Sequence, residues 1–305
     1  MLHQKTVILQ FAQLFRLQVM PTDGTTVANF AQYLAHKSLS HKTVVNYIQG
    51  WKAWHVLLGH NVGPFESPYL KLVVRGIARQ NNRPPRQANP ITVDILGDIY
   101  RRLNISKPNH ATLWALFLLM FYLMARKSNM MPDSATTFDP SKQLQCKDVL
   151  VYDTFLTVRF KWSKTIQYKQ REHRVPVLAV PGSHLCPVTA FKHMTKLTNQ
   201  SGDSPAFVWS DKSGTRPLSY PIFMRVLKSL IKQSGRDERK FSSHSFRRGG
   251  ATFEFQAGFS PELIQLIGDW RSDAYKAYLK PDLQYKTQAM QNIRRVVAQY
   301  SHVQK

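Results

Sequence analysis

Cysteine is nearly absent: Cys146 and Cys186 are the only two in 305 residues, and they carry no CxxC spacing. That excludes a disulfide scaffold and a four-thiolate zinc site, and fits a reducing compartment. Long hydrophobic runs are missing too. The longest, TLWALFLLMFYLM at 112–124, falls short of the roughly 20 residues a membrane-spanning helix needs and reads as a buried helix. The start, MLHQKTVILQFAQLF, lacks the basic region, long apolar block and small-residue cleavage site of a secretory signal, so the chain is expected to stay inside a cell. Acidic residues are scarce: 18 Asp and Glu face 42 Lys and Arg, a formal net charge of +24 with a pI of about 10.2. Such an imbalance points to a polyanionic partner, nucleic acid ahead of an acidic membrane surface. What remains is ordinary, 43% hydrophobic and 20% charged, which excludes collagen-like and wholly disordered chains.

Over residues 6–78 the apolar residues recur at helical spacing, as in Val7, Phe11, Leu14 and Phe15, then Val27, Phe30, Ala31 and Leu34. A helical domain is expected there. Thr25 and Thr26 would cap its second helix, Ser40 a third carrying Trp51 and Trp54 as core, Gly59 would stop that helix, and a fourth spans 69–78. The stretch RQNNRPPRQANP at 79–90 is polar, basic and proline-rich, which predicts a linker. The division is 1–83, a linker over 84–90, and a second domain over 91–305. In that domain 92–103 and 111–125 read as helices, and β-prone runs at 149–151, 155–160 and 174–177 as a small antiparallel sheet. Helices resume at about 188–196, 220–234, 244–256, 261–267, 273–279 and 286–300. The fold class is mainly α with a small antiparallel β-sheet (α+β).

The sharpest local feature is SSHSFRRGGAT at 242–252, where His244 and Arg247 share one face at a helix start that Ser243 can cap. A guanidinium fork matches two phosphate oxygens, and a helix amino end favours anions. Alone, a His-x-x-Arg is more often a solvated surface pair. Followed by GDWRSDAYKAY at 268–278, it resembles the carboxyl-terminal signature of the tyrosine recombinase (phage-integrase-like) family. The resemblance extends to Arg126 in MARKSN, at the end of the apolar helix, and to Lys164 in KWSKTIQ, in the hairpin. The wording GDWRSDAY is most similar to recombinases of eukaryotic Crypton and DIRS-like mobile elements. Two departures stand out: the acid the family usually carries three after its first arginine is Asn129 here, and Tyr275 competes with Tyr278, which the spacing from Trp270 favours.

The resemblance implies an N-terminal SAM-like core-binding domain that clamps DNA and an integrase-like catalytic domain, with Arg126, Lys164, His244, Arg247, Trp270 and Tyr278 as the catalytic set. A phenol ionises only near pH 10 in water, so a tyrosine nucleophile needs a proton acceptor and cations nearby. Arg126 and Arg247 would stabilise charge on the non-bridging oxygens, with hydrogen bonds from His244 and Trp270, while Lys164 would protonate the leaving 5′-oxygen. Lys161 and Arg159, with Lys169 and Arg171, read as hairpin cations contacting phosphate. The implied partner is double-stranded DNA, held by a homo-tetramer on two sites, with residues 292–303 docking on a neighbour. Neither a metal nor another cofactor is expected, since His36, His41, His55 and His60 form no convincing ligand set. A mobile-element origin would place the protein in a nucleus. The competing expectations are a decayed recombinase that only binds DNA, and a type IB topoisomerase that relaxes supercoils alone.

Overall fold

An aspartate, not the threonine pair, starts the second helix. Asp23 Oδ1 accepts from the main-chain N–H of Thr25 (2.8 Å) and of Thr26 (2.9 Å), because the carboxylate one turn earlier reaches two orphan amides that the threonine hydroxyls cannot. The computed structural model describes residues 2–80, 88–162 and 172–279, with helical residues 287, 290–291, 293–295 and 297–298 beyond them. It divides into two units, Met1–Arg86 and Gln87–Lys305.

The first unit holds four helices, α1 (Leu2–Phe15), α2 (Gly24–His36), α3 (His41–Leu57) and α4 (Pro68–Gln80). Ser40 caps α3 as expected, accepting from Thr43 N–H at 3.2 Å, and Gly59 follows its end at φ +73°. The core is built from Ile8, Phe11, Phe30, Leu34, Val44, Trp51 and Ile77. Leu14 and Phe15, expected on the apolar stripe, are exposed, and Ile8 with Phe11 takes their place. Trp51 is buried and donates from Nε1 to the Val19 carbonyl (3.1 Å). Trp54 is only partly buried, with Lys5 Nζ 4.8 Å above its ring. His55 is a core residue: Nε2 accepts from Thr22 N–H (3.2 Å) and Nδ1 lies 3.2 Å from the Trp51 carbonyl. Burial holds its pKa below the usual 6.5, so it packs as the neutral ring.

In the second unit, Thr92 caps α5 (Val93–Tyr100), and the apolar run becomes α6 (Pro108–Tyr122), buried along almost its whole length. A helix apolar on every side needs neighbours on every side. α8 (Pro187–Thr198) and α10 (Ser243–Gln256) pack against it. Among the described residues no helix is long and apolar enough to cross a membrane. Strands β1 (Val149–Val151), β2 (Phe155–Phe160) and β3 (His173–Leu178) form one antiparallel sheet in that order. Val149 and Val175 both stand opposite Val158, so the alternate residues Leu156, Val158, Phe160, Val175 and Val177 enter the core. A second ribbon, β4 (Val208–Asp211) with β5 (Gly214–Pro217), was not expected, since four-residue strands of mixed polarity carry no period-2 signal. The remaining helices are α7 (Lys127–Met130), α9 (Tyr220–Gln233) and α11 (Pro261–Ile267), with a 3₁₀ turn over Asp273–Ala277.

Two expectations about charged segments change. Of the linker, residues 84–87 lie outside the described residues, but Ala88 and Asn89 are not a free tether. Asn89 N–H donates to the Lys240 carbonyl (2.6 Å), Ile91 N–H to the Ser245 carbonyl (2.9 Å), and Arg248 to the Ala88 carbonyl. Arg159 and Lys161 are not open phosphate contacts either. Both close on the fully buried carboxylate of Asp148, at 2.8 and 2.5 Å, which must be paired to be tolerated there.

Candidate active site

The site begins with two glycines. A Cβ on Gly249 would stand 1.8 Å from the Ile91 carbonyl oxygen, and one on Gly250 2.1 Å from that of Phe121. Their absent side chains let α10 press its backbone onto the segment at Ile91 that precedes α5 and onto the end of α6. At the front of α10 the cap is Ser242 rather than Ser243, accepting from His244 N–H (3.2 Å), while Ser245 Oγ reaches back to Ser242 N–H (3.0 Å). This closed capping box points the first turn, with His244 and Arg247, at the end of α6.

There α6 has already stopped. Met124 takes a left-handed φ of +47°, and Arg126 sits in extended conformation as the residue before α7. It is therefore not a helix terminus offsetting a dipole. The Met124 carbonyl, freed by that stop, accepts from Arg247 Nη1, and the Gly268 carbonyl accepts from Nη2 at 2.7 Å. Arg247 is 3% exposed, and its guanidinium lies 3.6 Å from the centre of the Trp270 ring. Trp270 thus covers the flat face of the arginine in a cation–π stack. Gly268 makes room for that ring, since a Cβ there would meet it at 1.8 Å. Between them Asp269, left-handed at φ +52°, contacts Arg126 through its carboxylate Oδ2 (3.4 Å) and its main-chain carbonyl (2.9 Å).

Tyr278 closes the arrangement. Its hydroxyl lies 2.8 Å from His244 Nε2, and its carbonyl accepts from Thr252 Oγ1 at 2.9 Å. Tyr275 is 2% exposed among Met124, Ala251, Phe255 and Ile264, so of the two tyrosines one is packed in the core and the other meets His244, a wall of the cleft. The cleft itself measures about 540 Å³ and is lined by Arg126, Lys127, His244, Arg247, Trp270 and Arg271, with no carboxylate among its walls. Although its ring reaches solvent at the rim, His244 is held below a pKa of 6.5, first by the surrounding protein and then by Arg247, Arg248 and Arg126. Burial, followed by Arg126, also pulls the Arg247 pKa down, to about 9, which leaves it charged at neutral pH. A neutral imidazole beside a phenol, at the edge of a cationic cleft, can accept the phenol's proton. The imidazole Nε2 is turned to the Tyr278 hydroxyl.

The structure thus gathers Arg126, His244, Arg247, Trp270 and Tyr278, and Lys164 lies outside the described residues. Asn129 is buried near Arg126 and donates from Nδ2 to the Trp162 carbonyl. Sequence reasoning missed Asp269 and Arg248. The second bridges the Ala88 carbonyl and the Tyr278 ring, whose centre is 5.6 Å from its Cζ. Only the Gly-Asp pair before Trp270 hinted at the first, as a helix stop followed by a residue that tolerates positive φ.

The sequence matches no protein-family model and no curated protein. Solved structures do match. The integrase of the transposon Tn1549 in complex with transposon right-end DNA superposes with a TM-score of 0.63 at 14% identity, over 95% of this chain and 92% of that one. The site-specific recombinase XerH, bound to palindromic difH substrate in a post-cleavage complex, gives 0.56 at 15% identity, over 88% of this chain and 69% of that one. The Tn1549 integrase with circular intermediate DNA gives 0.55 at 15%, over 88% and 85%. Identities this low speak to the fold, which is that of the tyrosine recombinases and integrases.

Proposed function

We propose that this chain breaks and rejoins DNA strands as a site-specific tyrosine recombinase. The observation that carries the reading is the 2.8 Å contact between Tyr278 Oη and His244 Nε2 at the edge of a cleft walled by Arg126, Lys127, Arg247 and Arg271. In the reaction, Tyr278 Oη attacks the phosphorus of one strand while its proton passes to His244. The bond from phosphorus to the 5′-oxygen breaks, leaving a 3′-phosphotyrosine link and a 5′-hydroxyl. The proton for that departing oxygen is assigned to Lys164 by family resemblance. Charge building on the non-bridging oxygens meets Arg126 and Arg247, held in place before the reaction begins. One phosphoester replaces another, so a 5′-hydroxyl from a second strand can reverse the step without ATP. The DNA held by the Tn1549 and XerH proteins, together with the net charge of +24, supports duplex DNA as the substrate. Assembly as a tetramer on two sites is part of the same reading, and mobile-element origin rests on the wording of 268–275.

The test is a nicked suicide duplex carrying the candidate target ends, incubated in EDTA with the wild type and with Tyr278→Phe, then resolved on a denaturing protein gel. A covalent protein–DNA band from the wild type alone is expected. A duplex that is bound but never trapped would leave a DNA-binding protein, and relaxation of any supercoiled plasmid by a monomer would favour a topoisomerase.

A further inference from the structure

We infer that Asp269 is the positioning residue that aims Arg126 into the cleft, an assignment that rests on the strand-cleaving reading above. Asp269 holds Arg126 at two points, carboxylate to Nη1 at 3.4 Å and main-chain carbonyl to Nη2 at 2.9 Å. A single contact lets a guanidinium swing about it, whereas two contacts on different nitrogens fix the plane of the fork. Both come from one residue because Asp269 is left-handed, at φ +52°. That conformation is uncommon outside glycine, is tolerated best by Asn and Asp, and gathers at functional sites.

Charge makes the same case. Arg126 and Arg247 line one cleft without a carboxylate in its walls. They repel, for Arg126 depresses the Arg247 pKa and Asp269 raises it. Asp269 stands behind them, 4% exposed, in a small cavity it shares with Arg126, Asn129 and Arg247. It is placed to lower the cost of two adjacent guanidiniums from behind, while Arg126 keeps its exposed side toward the cleft. Asn129 cannot do this: it is neutral, and its amide is committed to the Trp162 carbonyl. Arg126 is partly exposed, 22% by side chain against 4% for its partner, so without the carboxylate it has water to turn toward.

The experiment separates aiming from loop stability. Asp269→Asn keeps a residue suited to positive φ and removes only the charge. The melting temperature, affinity for the nicked duplex and single-turnover formation of the covalent band are measured for the wild type, Asp269→Asn, Arg126→Ala and the double variant. Expected are unchanged binding, a band that forms about 10- to 100-fold more slowly in Asp269→Asn, and less than about a twofold further change once Arg126 is gone. The Arg126→Ala rate stays readable on long incubation, since losing one such donor costs ~10²–10³. Equal losses in both backgrounds would make Asp269 a structural residue and overturn the assignment, whatever the melting temperatures show. A band forming at the wild-type rate in Asp269→Asn overturns it as well. Absence of any Tyr278-dependent band from the wild type overturns the strand-cleaving reading, and this assignment with it.

Discussion

Gly249→Ala adds one methyl group where α10 touches the segment at Ile91 that precedes α5, and the sign of its effect follows from a distance. The new Cβ would lie 1.8 Å from the Ile91 carbonyl oxygen, so backbone must part by about 1.5 Å to reach ordinary contact. The segment that would move is tied down by Ile91 N–H to Ser245 (2.9 Å) and Asn89 N–H to Lys240 (2.6 Å). Overpacking of this kind costs about 1–3 kcal/mol, and losing one of those bonds about 1 kcal/mol more. The better helix propensity of alanine returns less than about 1 kcal/mol. A net loss of about 2–3 kcal/mol lowers the melting point of a unit of this size by roughly 5–10 °C. Gly76 in α4 supplies the opposite case: nothing lies within 4 Å of its Cβ position, so Gly76→Ala is expected to stabilise the first unit by about 0.5–1 kcal/mol. Both are read by differential scanning calorimetry. A Gly249→Ala protein melting within about 1 °C of the wild type would refute the close-approach argument.

Two pH dependences follow from the site and its surroundings. His244 must be neutral to take the Tyr278 proton, and its pKa is held below 6.5, so band formation should fall with acid along a curve whose midpoint lies below pH 6.5. A decline centred above pH 6.5 would contradict a depressed imidazole. Glu254, 6% exposed with one carboxylate oxygen unpartnered, has its pKa raised to about 8 by burial. The folded state therefore keeps a proton that the unfolded chain releases near pH 4.5, and stability is lost as pH climbs between those values. Urea titrations should show the wild type falling relative to Glu254→Gln by about 1 kcal/mol per pH unit from pH 5 to 8, whereas parallel curves would rule out a buried neutral acid.

Much of the fold was legible because it is written in periodicity. The stripe through Phe11 and Phe30, the unbroken run that became α6, and the alternation of Leu156, Val158 and Phe160 each state their own element. The candidate site was legible through the clustering of HSFRR and GDW. What escaped depends on approach in space. Arg159 and Lys161 looked like phosphate contacts until Asp148 arrived beneath them. Arg126 looked like the last residue of a helix, because nothing in MARKSN announces the left-handed turn at Met124. Asp269 carries no local signal of what it holds, since its partner lies 143 residues earlier.

The hydrogen bond from Asn129 to Trp162 bears on how sequences of this kind are compared. Aligned column by column, an asparagine at the place where the resemblance to tyrosine recombinases leads one to look for an acid scores as erosion. In this chain the two duties are divided between residues: a side-chain N–H secures the outgoing end of the β2 segment, and a carboxylate on another loop answers the arginine. A carboxylate at 129 would have no hydrogen to offer that carbonyl, and would share a cavity of about 20 Å³ with the acid already present. If Asp269 aims Arg126 as inferred above, the acceptable letter at 129 depends on the letter at 269, and a census that weighs each column separately would miss that coupling.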